Sequence, residues 1–108
     1  MSRKLKCVII LSPYKGAIAL NVEYAKRCVL DSMRRFEAPF ASHLIYTQVL
    51  NDSDPHQRAL GFQAEAAWAK YAELLAVYTD LGISSGMRKT MVKTKLPVVL
   101  RTLGDDLE

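Results

Sequence analysis

Two polar turns, each directly after an apolar run, hold residue types that could bind a small ligand. The first follows the run that ends at Leu11, and its candidate ligand-binding residues are Ser12, Pro13, Tyr14, Lys15 and Gly16. It supplies hydroxyls, one cation and backbone N–H groups at the start of a helix, which are groups that bind a phosphate or a sugar hydroxyl. It matches neither G-x-x-x-x-G-K-[ST] nor G-x-G-x-x-G, so a plain structural turn is the alternative interpretation.

The second turn runs from Thr79 to Gly86 and follows the apolar run Leu74–Tyr78. A carboxylate at the end of that run can accept two hydrogen bonds from sugar hydroxyls, and a serine can cap the next helix while facing a ligand. The candidate ligand-binding residues here are Asp80, Gly82, Ser84, Ser85, Gly86, Met87 and Arg88. The alternative is that the aspartate only orders the turn and the serine only caps the helix.

The polar connection 42–54 holds a third group of candidates. His43 can hydrogen-bond a base, Tyr46 can stack on it and Gln48 can hydrogen-bond it. The alternatives are packing of the connection on itself and a structural role for the histidine. There is no G-x-S-x-G elbow and no obvious acid to orient His43, so the pattern does not predict Ser-His-Asp catalysis. The acidic residues of 51–54 do not match a calcium loop, and we predict neither a metal nor a cofactor.

Apolar runs and helical periodicity alternate along the chain and predict the elements that position these turns. Asp54 as N-cap and Pro55 at the first helical position mark the start of the second helix. A frayed acidic tail is expected over 103–108. We predict strands at Leu5–Leu11, Ala38–Ala41, Leu74–Tyr78 and Val98–Leu100, and helices at about Ala17–Phe36, Pro55–Tyr71 and Ser84–Thr94.

Helical spacing also predicts which helix faces are buried. In the first helix the predicted buried stripe is Ile18, Val22, Ala25, Val29, Met33 and Phe36. In the second helix the residues that share one face are Leu60, Ala64, Ala67, Trp68 and Tyr71.

The element order β-α-β-loop-α-β-α-β predicts an α/β fold in a single domain over residues 1–108. Right-handed crossovers give about four parallel strands flanked by three helices. In the strand order 2-1-3-4, strands one and three are neighbours. Their turns, Ser12–Gly16 and Thr79–Gly86, then flank one crevice at the topological switch point, where such sheets bind ligands.

Charge and hydropathy restrict the partners. A net charge of +4 and a pI near 9.2 favour anionic partners, nucleotides among them, but are too mild to indicate nucleic-acid binding. No apolar run approaches the ~18 residues of a membrane span, and the basic N-terminus is not followed by a signal-peptide pattern. We expect a cytoplasmic protein without a membrane partner, with Cys7 and Cys28 as reduced core thiols.

Four segments in order carry a resemblance to a known family. They are ILSPYKG at 10–16, APFASHLIYTQ at 38–48, NDSDP at 51–55 and DLGISSGM at 80–87. Together they resemble the small phage and bacterial domains related to nucleoside 2-deoxyribosyltransferases, over nearly the whole chain. The resemblance implies a three-layer, flavodoxin-like Rossmannoid sheet, a nucleoside or nucleotide pocket, and homo-oligomers that often share pockets between subunits. For a phage protein, the cytoplasm would be that of the host.

The resemblance also implies roles for residues. The pocket floor would be Ser12, Pro13 and Tyr14, with His43 and Gln48 near the base and Asp80, Ser84 and Gly86 near the sugar or phosphate. Enzymes of that family cleave an N-glycosidic bond with a glutamate that follows strand three. The matching positions here hold Arg88, Lys89 and Thr90, and an acid expected before strand three is Ala72. Neither a cation nor a threonine replaces a carboxylate nucleophile, and nothing in the sequence places Glu65 or Glu73 in the crevice.

Three functions follow from these patterns. The first is binding of a nucleotide or nucleotide-derived signal without turnover, with phage-type sequestration as its purpose, because the crevice is kept while its carboxylates are missing. The second is an N-glycosidase or deoxyribosyltransferase that uses Asp80, or an acid of a neighbouring subunit, as its catalytic residue. The third is a protein-interaction module in which the basic first helix, with Arg34 and Arg35, contacts an acidic partner.

Overall fold

The computed structural model describes residues 4–104, in which strands and helices alternate. The strands are β1 (Lys6–Leu11), β2 (Glu37–Phe40), β3 (Leu74–Tyr78) and β4 (Val98–Arg101). The helices are α1 (Ile18–Arg34), α2 (Ser42–Ile45), α3 (Pro55–Ala69) and α4 (Ser85–Lys93), and a 3-10 turn (Tyr46–Gln48) follows α2. Every predicted strand is confirmed to within one residue at each end. The predicted three helices are confirmed to within two residues, and α2 is a fourth that lies in the connection 42–54.

All four strands are parallel and form one sheet in the order β2-β1-β3-β4, which confirms the predicted topology. In the centre, Val8 pairs with Leu74 and Leu11 pairs with Val77. On the flanks, Lys6 pairs with Glu37 of β2. Because the strands are parallel, all four carboxyl ends lie at the same edge, called here the C-terminal edge.

The helices cover both faces of the sheet and give three layers. On one face, Tyr24 and Cys28 of α1 pack on Val8, Ile10 and alternate residues of β3. On the other face, Met87 of α4 packs on Ile9, Leu75 and Val77, with Met91 beside it. α1 and α4 lie on opposite faces because their right-handed crossovers, from β1 to β2 and from β3 to β4, run in opposite directions across the sheet.

Of the predicted buried stripe of α1, only Ala25 is fully buried, and Val29 is partly buried against the core. The residues that α1 buries are Asn21, Tyr24, Ala25, Cys28 and Ser32. Ile18 and Met33 are about half exposed, at 48% and 56%, and Val22 and Val29 are intermediate. Phe36 lies beyond the helix with φ +62°. Hydrogen bonds from Asn21 and Ser32 to neighbouring segments turn the helix by about a quarter of a turn relative to its apolar stripe.

An ion pair links β4 to the start of β2 across the sheet. Arg101 donates from both Nη groups to the Glu37 carboxylate, at 2.8 and 2.7 Å. The two side chains are only 9% and 11% exposed. The Tyr78 hydroxyl lies 3.3 Å from Arg101 and donates to Asp31 of α1 at 2.7 Å. This network ties three strands and α1 together.

Three further predictions on packing need correction. Leu103 was assigned to a frayed tail, but it is in the core at 6% exposure, while 105–108 lie outside the described residues. Cys7 is exposed, whereas Cys28 is buried as expected, and both thiols are free. No residue of α3 is buried, so the face that includes Leu60 and Trp68 packs only partly.

Candidate functional site

The two predicted turns begin at neighbouring points of the C-terminal edge. Leu11 is paired with Val77 in the register, so Ser12 and the start of 79–86 follow adjacent strand ends. The end of β2 lies at the same edge on the other side of β1. The sheet order therefore brings together residues from three distant parts of the sequence, at the switch point between β1 and β3.

A serine–histidine pair lies where β1 and β2 end. Ser12 Oγ and His43 Nε2 are 2.7 Å apart, although the two residues are 31 positions apart in sequence. Burial lowers the pKa of His43 to about 4, so its imidazole is neutral at pH 7. A neutral ring has one donor and one acceptor nitrogen and can complement a nucleobase edge. The pair brings together two of the predicted ligand-binding residues.

A carboxylate of α3 is bound at this edge by the first residue of α2. Ser42 Oγ donates to Glu65 Oε2 of α3 at 2.5 Å, one position before His43. The sequence names Glu65 as a remaining acid but does not place it at this edge, because its position depends on how α3 packs on the sheet and no local motif records that. Glu73, in contrast, accepts a hydrogen bond from the Cys7 backbone at the start of β1, at the opposite edge.

Asp80 is held by groups of its own chain. Tyr24 donates to Oδ1 at 2.6 Å, and the backbone N–H groups of Leu103 and Gly104 donate to the carboxylate at 2.9 to 3.3 Å. Burial raises the pKa of Asp80, but these hydrogen bonds outweigh it and hold the pKa below its usual value. The carboxylate thus pins the chain after β4 to the end of β3. Its role as a sugar ligand stays a prediction.

The first turn is fixed from below by α1. The Asn21 side chain, 7% exposed, donates to the carbonyl oxygens of Tyr14 and Lys15, both at 2.9 Å. Gly16 has φ +95°, a conformation that side chains disfavour. Asn21 is not among the predicted site residues. Helical periodicity counts apolar residues, and Asn21 is a polar residue that is buried because it bonds the turn.

The second turn leads into α4 through a capped start. Ser84 accepts a hydrogen bond from the Met87 backbone N–H at 3.2 Å, which confirms the predicted serine cap. Met87 is buried in the core, at 2% exposure. Ser85, Gly86 and Arg88 are exposed at the first turn of α4.

The remaining candidates of the connection are more loosely placed. The Tyr46 ring contacts the Phe40 ring edge-on, at 6.1 Å between centroids, and Gln48 is exposed. Two cavities lie outside the turns. One of about 230 Å³ is lined by Asp52, Ser53, Pro55, Arg58, Ala59 and Phe62. One of about 150 Å³ is lined by Cys7, Val8, Ile9, Ala38, Phe40, Trp68, Tyr71 and Ala72.

Residues 4–104 contain neither a candidate metal site nor a candidate membrane-spanning helix. No group of three or more His, Cys, Asp or Glu side chains there is arranged to hold a metal ion. None of the helices in this part of the chain is long and apolar enough to cross a membrane.

A comparison with family models identifies the protein family of this chain. The model described as "Domain of unknown function (DUF7768)" matches residues 6–99. The chain belongs to the DUF7768 family. The DUF7768 match runs from β1 into β4 and includes both turns, so the candidate site lies inside the family's domain. No match was found among curated proteins or among solved structures. Nothing in these comparisons links DUF7768 to nucleoside 2-deoxyribosyltransferases, and that resemblance stays a prediction.

Proposed function

We propose that this DUF7768 domain binds a nucleotide or a nucleotide-derived small molecule at the C-terminal edge of its sheet, without turnover. The observation that carries the proposal is the meeting of the turns after β1 and β3 beside the neutral Ser12–His43 pair. Sheets of this kind bind ligands at that point. The mild positive charge of the chain favours an anionic ligand.

Binding without turnover is supported by the residues at the start of α4. Arg88, Lys89 and Thr90 stand where a catalytic glutamate is expected from the resemblance, and the first two are exposed. Cations near a helix N-terminus oppose the helix dipole, so a bound phosphate would offset the conflict. Sequestration of a nucleotide signal in the cytoplasm, as in a phage protein, is the corresponding biological role.

A ligand screen by thermal shift tests this proposal. The panel holds nucleosides, nucleotides, ADP-ribose and cyclic dinucleotides. A ligand at ~100 times its Kd is expected to add about 2.7 kcal/mol to the free energy of unfolding, and chromatography of the same mixtures is expected to show no released base. No stabilisation by any member of the panel would contradict the proposal.

The second candidate function is cleavage of an N-glycosidic bond, and Glu65 is the observation that favours it. Its carboxylate accepts a hydrogen bond from Ser42 just after the end of β2, so this edge has a candidate nucleophile besides Asp80. Release of free base from nucleosides or nucleotides at enzyme-like rates, lost in Glu65→Gln, would establish this function and exclude pure binding.

We also propose that the chain forms a homo-oligomer. The apolar flank of α1, made of Ile18, Leu30 and Met33, is about half exposed. These side chains continue the apolar stripe of the helix, and apolar surface of this kind commonly marks a protein–protein interface. A second copy of the chain is the partner that we propose for this flank.

A further inference from the structure

Glu65 differs from the other carboxylates of the site in having one free oxygen. Oε2 accepts the hydrogen bond from Ser42, while Oε1 has no hydrogen-bond partner within residues 4–104. No buried and unsatisfied side-chain atom occurs in that part of the chain, so Oε1 is not fully buried. No described lysine or arginine forms an ion pair with Glu65. Asp80, in contrast, has both oxygens occupied by Tyr24, Leu103 and Gly104.

His43 presents a second free atom, one position after the serine that binds Glu65. Its Nε2 is bonded to Ser12, while Nδ1 has no partner in the described chain and is not fully buried. Ser42 and His43 are consecutive, so the Cα atoms of the two anchoring positions are about 3.8 Å apart. The Glu65 carboxylate is thus bonded to Ser42, and the neutral imidazole belongs to the next residue, where Ser12 fixes it.

The charge at this position restricts what it can bind. An ionised carboxylate only accepts hydrogen bonds and repels a phosphate, so the ligand group at Glu65 must be a donor. Sugar hydroxyls are such donors, and an acidic side chain at a strand–helix edge binds the ribose 2′-hydroxyl in other doubly wound folds.

We infer that Glu65 binds the hydroxyls of a ribose and that the ligands of this site are ribonucleotides in preference to 2′-deoxyribonucleotides. The inference rests on the proposed nucleotide binding and names the sugar that the site accepts. Ser42 acts as a positioning residue that holds the carboxylate at the edge.

Isothermal titration of the four ribonucleoside monophosphates and their 2′-deoxy counterparts tests the inference. For at least one base, the wild-type protein is expected to bind the ribonucleotide about 10- to 100-fold tighter, the range for a hydrogen bond to a charged group. Glu65→Gln is expected to reduce that ratio to a few-fold. Glu23→Gln, which changes an exposed glutamate of α1, is the matched control and is expected to keep the ratio.

Three outcomes overturn the inference in distinguishable ways. Equal affinity of the wild type for ribo- and deoxyribonucleotides removes the sugar preference but leaves the proposed function standing. If Glu65→Gln still prefers ribonucleotides over 2′-deoxyribonucleotides, a residue other than Glu65 is responsible for the preference. No binding of any of these monophosphates to the wild type overturns the inference, while the proposed function is contradicted only if the thermal-shift panel also shows no stabilisation. The comparison of ribo- and deoxyribonucleotides with the wild-type protein needs no variant, so it tests the inference even if Glu65→Gln does not fold.

Discussion

Two serines orient the side chains that the candidate site offers to a ligand. Ser12 fixes the His43 ring and Ser42 fixes Glu65, so the two groups present their remaining polar atoms at one edge. The sequence predicted Ser12 and His43 as separate ligand contacts but not as a pair. Their proximity depends on the register between β1 and β2, and no local pattern records it.

The largely buried imidazole of His43 makes the free energy of unfolding depend on pH. Because the pKa of His43 is about 4 in the folded protein and near 6.5 when unfolded, the unfolded chain takes up the proton first as the pH falls. The stabilisation is complete above pH 6.5 and is lost towards pH 4, by up to about 3 kcal/mol. Urea unfolding of His43→Gln is expected to show a flatter slope over this range. His56→Gln, at an exposed position, is expected to keep the wild-type slope, and a wild-type slope in His43→Gln would contradict the account.

Asp80 is expected to contribute mainly to stability. Asp80→Asn places amide hydrogens against the N–H groups of Leu103 and Gly104, so we expect a loss of about 1–3 kcal/mol in the free energy of unfolding. Tyr24→Phe removes the other donor, and a double-mutant cycle is expected to give a coupling of about 0.5–3 kcal/mol. Urea unfolding at pH 7 measures both. Exposed Asp52→Asn serves as control, and a loss in Asp80→Asn as small as in that control would refute the assignment.

Among the elements, the strands could be predicted and the burial of the helices could not. The apolar runs of β1 and β3 determine their own boundaries because both faces of these strands are covered. In α1 the polar Asn21 and Ser32 are buried because each bonds a neighbouring segment, while apolar Ile18 and Met33 remain half exposed. Periodicity counts apolar residues and has no access to such tertiary hydrogen bonds.

The link between β4 and β2 is predicted to be important for the stability of the sheet. Arg101→Met leaves the largely buried Glu37 carboxylate without its cation, and breaking such a pair costs about 3–5 kcal/mol. Lys26→Met breaks an exposed pair with Glu23 and is expected to cost less than about 1 kcal/mol. Urea unfolding compares the two variants. Equal, small losses would show that the Arg101 pair is dispensable.

For the molecule as a whole, the order of the elements was enough to predict the fold, but only part of the candidate site could be predicted from the sequence. Right-handed crossovers and the element order lead to the order 2-1-3-4, and with it to the meeting of the two turns. Glu65 reaches the site only through the packing of α3. Leu103 packs in the core after β4, where its backbone N–H donates to Asp80.

The proposed oligomer gives a prediction at this scale. Met33→Lys places a charge on the apolar flank of α1. Size-exclusion chromatography with light scattering is expected to give a multiple of 12.1 kDa for the wild type and 12.1 kDa for this variant. Val92→Lys, at an exposed position of α4, is the matched control and is expected to behave as the wild type. A wild-type protein that is monomeric at micromolar concentration would refute the oligomer.

The central claim is that one small ligand binds where the turns after β1 and β3 meet. Backbone amide chemical shifts, recorded by NMR while AMP, ADP-ribose or a cyclic dinucleotide is added, test it most directly. We expect the chemical-shift changes to be concentrated in 12–16, 42–48 and 79–88. Shifts confined to the opposite edge, around Cys7 and Glu73, or no shift with any of these ligands, would contradict it.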